Sequence, residues 1–247
     1  MAIRAVLLDL FDTVVDLMME DLPEFEVGGR VLKGTHGQLH EIVAQHCDVD
    51  LESFVQLMGE VDREFRVPLY KEGREFPTVE RFARVGERLG IDAPDLALRL
   101  TETHMGAILS QARYLPHHVE VFRSLREHVR IGICSNFSHT GTGLRVLEEA
   151  GLAPHCDAVT ISEEVGIRKP RAEIFTTTLK RLGVAPAETL HVGDRLEADV
   201  RGAAEAGITP VWITRRVRDP ERALREHEGP KPAHVIEDLA ELIPLVS

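Results

Sequence analysis

Cysteine is scarce. The three present, Cys47, Cys134 and Cys156, are far apart and odd in number. That excludes a disulfide framework and offers no paired spacing for a zinc site. Each is read as a small buried apolar residue in a reducing, cytoplasmic setting. No apolar run approaches the roughly 18 residues that span a bilayer. The first apolar stretch is short and ends in acids, unlike the layout of a secretion signal. Basic charge is also short, with 29 Lys and Arg against 41 Asp and Glu and a formal net charge of −12. A nucleic-acid or anionic-membrane surface would need basic patches, so neither partner is expected. An anionic small molecule stays open, because local charge in a pocket can oppose the global field. Internal repeats and low-complexity segments are absent.

What is present is a soluble, globular composition, 43% hydrophobic and 28% charged over 247 residues. That length allows one large domain, or a core with a second small one. The organising stretch is Ala5 to Asp16. Its short apolar run ends in acidic and hydroxyl residues, the pattern of a buried strand that delivers Asp9 to a sheet's carboxyl edge. Ligands of open α/β sheets bind at that edge.

Residues 17–110 contain no convincing strand and read as an all-helical insert. Helices are expected over 38–46, over 51–65 with Pro68 ending the run, from a Thr78 cap to Gly90, and from Pro94 to about Leu109. The polar loop between Lys71 and Phe76, with Arg74, is the expected contact for an anionic group. From Arg113 the α/β rhythm resumes. Strands are expected at 129–134, 157–161, 189–192, 208–213 and 234–236, alternating with helices at 119–128, 142–150, 172–182, 197–206 and from Pro220. Such alternation implies parallel pairing with right-handed crossovers.

Reactive groups sit at the strand ends: Asp9, Ser135 with Asn136, Lys169, and Asp194 with Asp199. Taken singly, each has an ordinary structural alternative as a turn, a cap or a solvated side chain. Together they make a coherent phosphoryl-transfer set. A carboxylate can attack a phosphoryl group and split hydrolysis into two easier steps. Two anions repel, so positive charge is required. A lysine and a Mg²⁺ ion on oxygen ligands would supply it. A serine hydroxyl at a strand end can hold phosphoryl oxygens.

The order of these stretches resembles the haloacid dehalogenase superfamily over nearly the whole chain. Ala5 to Asp16 resembles its first motif and Ile133 to Asn136 its second. Ser162 to Phe175 is similar to the third, and His191 to Gly207 to the fourth. The resemblance implies a Rossmann-like α/β core (residues 1–16 and 111–247) with helices on both faces of a parallel sheet. It also implies a helical cap (17–110) of the subfamily with its cap between motifs one and two, sitting over the strand ends and excluding water when closed. It makes Asp9 the nucleophile and a Mg²⁺ ligand and Ser135 the binder of the transferring group. Lys169 becomes the neutralising cation, with Asn136 and Arg74 expected to meet substrate. Asp194 becomes a metal ligand and Asp199 its support, and the Phe11 backbone carbonyl is a further ligand.

One position departs from that pattern. The residue two after the nucleophile is usually a second Asp that protonates the leaving group. Here it is Phe11. Asp12 follows where the family usually has Gly, and a turn role is expected for it rather than proton transfer, since adjacent residues in extended chain point to opposite faces. Three enzymatic readings follow. The first is a Mg²⁺-dependent phosphohydrolase acting on a small phosphorylated metabolite. The second is a 2-haloacid dehalogenase, which would need an early arginine, here only Arg30. The third is a phosphonate-cleaving relative, which would need a cap lysine, here only Lys33 or Lys71. A phosphate-binding regulatory protein is the non-enzymatic alternative. The metal-type carboxylates favour phosphoryl chemistry.

Overall fold

The computed structural model describes residues 2–247. The chain forms two compact units. One runs through Asp16 and resumes at Arg113, and the other is Leu17–Ala112. The first holds a six-stranded parallel sheet made of β1 (Ala5–Leu8), β2 (Arg130–Ser135), β3 (Ala158–Ile161), β4 (Thr189–Gly193), β5 (Thr209–Ile213) and β6 (His234–Ile236). Across the sheet the strands run β6-β5-β4-β1-β2-β3. Every residue of β1 is buried, so both faces of the sheet are covered by helices. Ala5 and Leu7 face one way and pack with Ile174, Phe175 and Leu179 of the helix Ala172–Leu182.

Chain direction across the sheet reverses beside β1. From β1 the chain builds outward through β2 and β3, then returns to β4 on β1's other side. A crevice opens at such a switch point, beyond the carboxyl ends of the two central strands. Asp9 follows β1 and Asp194 follows β4, so the order of the strands alone brings these two carboxylates to one place.

The second unit corrects several expectations. It is not all-helical, because Glu24–Val27 and Arg30–Lys33 form an antiparallel hairpin. Gly28 and Gly29, with φ of 55° and 70°, make its two-residue turn, the conformation that matches strand twist and that glycine takes freely. Pro68 does not end the second helix either. The helix Leu51–Val61 opens into a wider π turn over Asp62–Arg66 and continues as Val67–Lys71. The Val67 N–H reaches back to the Asp62 carbonyl. A proline in the first turn of the resumed helix therefore costs no hydrogen bond. Thr78 is the first residue of its helix rather than its cap, and the last helix starts at Leu96, two residues after Pro94. Within the expected anion-binding loop, Glu75 and Phe76 are buried.

Among the described residues no helix is long and apolar enough to cross a membrane. All three cysteines are free thiols. Cys134 is buried, while Cys47 and Cys156 are only half-buried.

Candidate active site

The chain leaves β1 at Leu8 and turns sharply. The Asp9 N–H donates to the Val192 carbonyl of β4 at 2.9 Å, which fixes the Asp9 backbone at the sheet's carboxyl edge. Leu10 accepts the N–H groups of both Val14 and Val15, and Asp12 donates its own to the Val15 carbonyl at 2.7 Å. This tight loop needs a left-handed residue, and Asp12 supplies it with φ of 58°. Aspartate is among the few side chains that tolerate that conformation. The Asp12 carboxylate lies 3.5 Å from Arg216.

Lys169 joins two of the carboxylates. Its Nζ lies 2.6 Å from Asp9 Oδ1 and 2.6 Å from Asp199 Oδ1, and its side chain is 1% exposed. Burial alone would lower the ammonium's pKa, but Asp199 and Asp9 outweigh it and hold the lysine charged. The lysine is itself positioned by Asn136. That carboxamide donates to the Lys169 carbonyl at 2.9 Å and accepts the Lys169 N–H at 2.7 Å. Asn136, expected from the sequence to bind substrate, thus uses both ends of its amide to hold the lysine's backbone.

Asp199 comes from a π turn, Leu196–Arg201, that begins just after β4. Its carboxylate is bonded at both oxygens. Oδ1 meets Lys169 and His191 Nε2, the latter at 3.0 Å, and Oδ2 accepts the Arg195 N–H at 3.0 Å. Burial pushes this carboxyl up, but Lys169 and His191 overcome it and keep Asp199 ionised, well below the usual carboxylate range. Gly193 makes the close approach possible, since a Cβ there would lie 2.1 Å from Asp199 Cγ. Asp194 is anchored through its backbone, its carbonyl accepting Trp212 Nε1 at 2.8 Å.

Asp9, Asp194 and Asp199 offer one oxygen each within 4.8 Å of one another. Burial, then the charges of Asp9 and Asp199, push the Asp194 carboxyl up to about 7, and Arg195 only partly offsets them. Asp9 is likewise raised, chiefly by burial. One lysine does not balance three converging carboxylates, so the site is short of positive charge.

Among the described residues, three hydroxyl oxygens are buried with no hydrogen-bond partner, Thr140 Oγ1 and the two that matter here: Ser135 Oγ at the end of β2 and Thr13 Oγ1 in the Asp9 loop. An unmet buried donor is costly, and both sit on segments that lead to the carboxyl edge. Phe11 is half-buried, its ring tilted at 57° on Phe137 with centroids 4.7 Å apart. Phe137 is in turn pinned by Ser162, whose Oγ accepts its N–H at 2.9 Å. Arg74 belongs to the second unit, where its exposed guanidinium pairs with Glu72 at 3.5 Å.

Sequence reasoning missed His191 as a site residue. It is fully buried, stands edge-on to Phe175, and its ring is kept neutral by burial. The available signal was a polar residue in mid-strand, flanked by Leu190 and Val192. The part played by Gly193 had no sequence signal beyond its place before Asp194.

The family described as haloacid dehalogenase-like hydrolase matches residues 3–207. A ribulose-1,5-bisphosphate 5-phosphatase of Halopiger xanaduensis is 32% identical over 81% of this chain and 85% of its own. A 2-haloacid dehalogenase of Pseudomonas syringae superposes with a TM-score of 0.70 at 21% identity, over 99% of this chain and 97% of that one. A magnesium-bound hydrolase of Bacillus subtilis superposes at 0.61 with 20% identity over the full length of both chains. At such identities the two structures speak to the fold, and the matched family speaks to the chemistry. The chain belongs to the haloacid dehalogenase-like hydrolases.

Proposed function

We propose that this hydrolase is a phosphatase that passes a phosphoryl group from a small phosphorylated metabolite to Asp9 and then to water. The observation that carries the reading is the Asp9, Asp194 and Asp199 cluster held around Lys169. Displacing a halide requires no extra cation, whereas bringing an anionic phosphate to an anionic nucleophile does. The phosphatase relative supports the same reading.

The donor set fits Mg²⁺, because it is all carboxylate oxygen and short of positive charge. Asp9 and Asp194, with the Phe11 carbonyl, would hold the ion, and Asp199, both of whose oxygens are already bonded, would support it through water. The ion would supply the positive charge that lets two anions meet. In the first step an Asp9 oxygen attacks phosphorus and the ester P–O bond breaks. Lys169, locked by Asn136, neutralises charge between the anions. The unpartnered Ser135 and Thr13 hydroxyls donate to phosphoryl oxygens, which removes the cost of burying them. Phe11 has no proton to give, so the leaving oxygen departs as an anion and is protonated by solvent. Water then attacks phosphorus, releasing phosphate and restoring Asp9. Asp12, committed to the turn and facing Arg216, is assigned a structural part.

Without a general acid, turnover favours esters whose leaving groups are already stable anions. The test is hydrolysis of an aryl phosphate with and without Mg²⁺, alongside chloride release from a 2-chloroacid. Phosphate release that requires Mg²⁺ is expected. Chloride release without phosphate release would overturn the reading in favour of the dehalogenase alternative, the one that Phe11 favours. Arg30, the arginine that alternative needs, is exposed in the hairpin. The phosphonate-cleaving alternative needs a lysine of lowered pKa, yet Lys33 and Lys71, the two lysines of the second unit, are both exposed.

A further inference from the structure

Away from Asp9, a second set of metal-type ligands comes together in the same unit: His117, His118 and Asp238. One ligating atom from each lies within 4.8 Å of the others. His117 and His118 begin the helix that runs to Arg126, and Asp238 caps the short helix Leu239–Leu242. His117 Nε2 is 2.8 Å from Asp238 Oδ2, and the two imidazoles stand edge to face with centroids 4.6 Å apart.

His118 is the informative member. It is completely buried, and its Nδ1 lies 2.8 Å from the Val14 carbonyl. A carbonyl only accepts, so Nδ1 carries the hydrogen and Nε2 keeps its lone pair. That Nε2 is buried with no hydrogen-bond partner. A histidine that donates one ring N–H to a backbone carbonyl while its other nitrogen keeps an unused lone pair is in the form that ligates a metal. An unmet buried acceptor with no such purpose would be a plain cost.

The neighbouring groups are compatible with a cation. Asp238 uses Oδ1 to accept the Ala240 N–H at 2.8 Å, and its Oδ2 accepts from His117 Nε2, a hydrogen bond whose proton a bound cation would displace. Arg215, a cation whose charge is felt at His118, is paired with both oxygens of Asp16 and the Thr13 carbonyl. The His117 side chain is 51% exposed, so an ion has a path from solvent.

We propose that His117, His118 and Asp238 form a binding site for a borderline divalent transition metal such as Zn²⁺, with the fourth position open to solvent. Two imidazoles and a carboxylate suit Zn²⁺ and disfavour Mg²⁺, which prefers oxygen. The site therefore differs in kind from the Asp9 cluster. It would join the helix starting at His118 to the C-terminal segment, and through His118 it reaches the Val14 carbonyl in the loop after Asp9.

The test is a Zn²⁺ titration of the full chain against a chromophoric chelator in excess Mg²⁺, with Co²⁺ as a spectroscopic probe. One tightly held Zn²⁺ per chain is expected, with a Co²⁺ visible spectrum showing nitrogen ligation. His117→Ala and Asp238→Asn should each weaken Zn²⁺ at least tenfold, and neither should change activity with Mg²⁺ alone. The Asn variant keeps the helix cap. A failure to hold Zn²⁺ in excess Mg²⁺, or affinity unchanged in both variants, would overturn the proposal and leave His118 a core histidine and His117–Asp238 a surface pair.

Discussion

At the scale of single residues, the site turns on what Phe11 and Gly193 permit. Phe11 packs its ring, tilted, on a pinned Phe137 and brings no proton. Phe11→Asp should raise turnover of alkyl phosphates at least tenfold, within the about 10²–10⁴-fold that general acids supply. Aryl phosphates should change little, and equal gains on both classes would contradict the argument. Gly193 is defined by a collision, because any Cβ there enters the Asp199 carboxylate. Gly193→Ala should displace Asp199 and cut turnover by about 10²-fold, the penalty of a misplacement near 1 Å. A steady-state assay checks it, and a near-native rate would show that Asp199 has room to move. Asp9, Ser135, Lys169, Asp194 and Asp199 were legible as residue types at strand ends. His191, Thr13 Oγ1 and the clamp that Asn136 places on Lys169 were not. Their parts depend on distances between segments far apart in sequence.

At the scale of elements, strands and most helices follow from periodicity and punctuation. The helix 172–182 and its Gly183 stop are both found where the pattern placed them. What escaped the pattern are departures from regular spacing. The hairpin's strands are four residues each, too short to stand out, although the Gly28-Gly29 pair between them was the signal for a two-residue turn. The two π turns were also invisible, since each is a single short segment that no residue type marks. In the second unit the π turn is tied down by charge. Arg81 grips Asp62 with two bonds of 2.7 Å, and Arg66 adds a third contact at 2.8 Å. The Asp62 and Arg81 side chains are largely buried. Asp62→Ala should therefore destabilise the second unit by about 3 kcal/mol, as expected when one partner of a buried pair is removed. Urea denaturation measures this, and a loss below about 1 kcal/mol would mark the pair as an ordinary surface contact.

At the scale of the whole molecule, the chain builds two cores from separate stretches, one around the sheet and one from Leu39 to Leu100. The alternating pattern implied parallel strands and the resemblance implied helices on both faces, but the side on which β4 returns is a property of the folded sheet. Each core should respond to acid on its own. Burial, with Arg81 nearby, pushes the His104 imidazole of the second unit from 6.5 down to about 3, while its Nδ1 bonds Thr35 Oγ1 at 2.7 Å. Above the unfolded value both states are neutral and pH has no effect through this group. Below it the unfolded chain takes a proton that the folded chain refuses. Stability is thus lost as pH falls from 6.5 toward 3, by up to ~1.4 kcal/mol per pH unit. His104→Asn, which keeps a polar partner for Thr35, should flatten that slope in thermal melts across the window. An unchanged slope would mean that other groups set the acid response.

The central claim is that Asp9 takes the phosphoryl group. The most direct measurement is to mix the protein with Mg²⁺ and a labelled acyl phosphate, quench in acid within one turnover, and locate the label by peptide mapping. The label is predicted on the Asp9 peptide, removable by hydroxylamine and missing from Asp9→Asn. Phosphate release at full rate in Asp9→Asn, or a label on any other residue, would contradict the account.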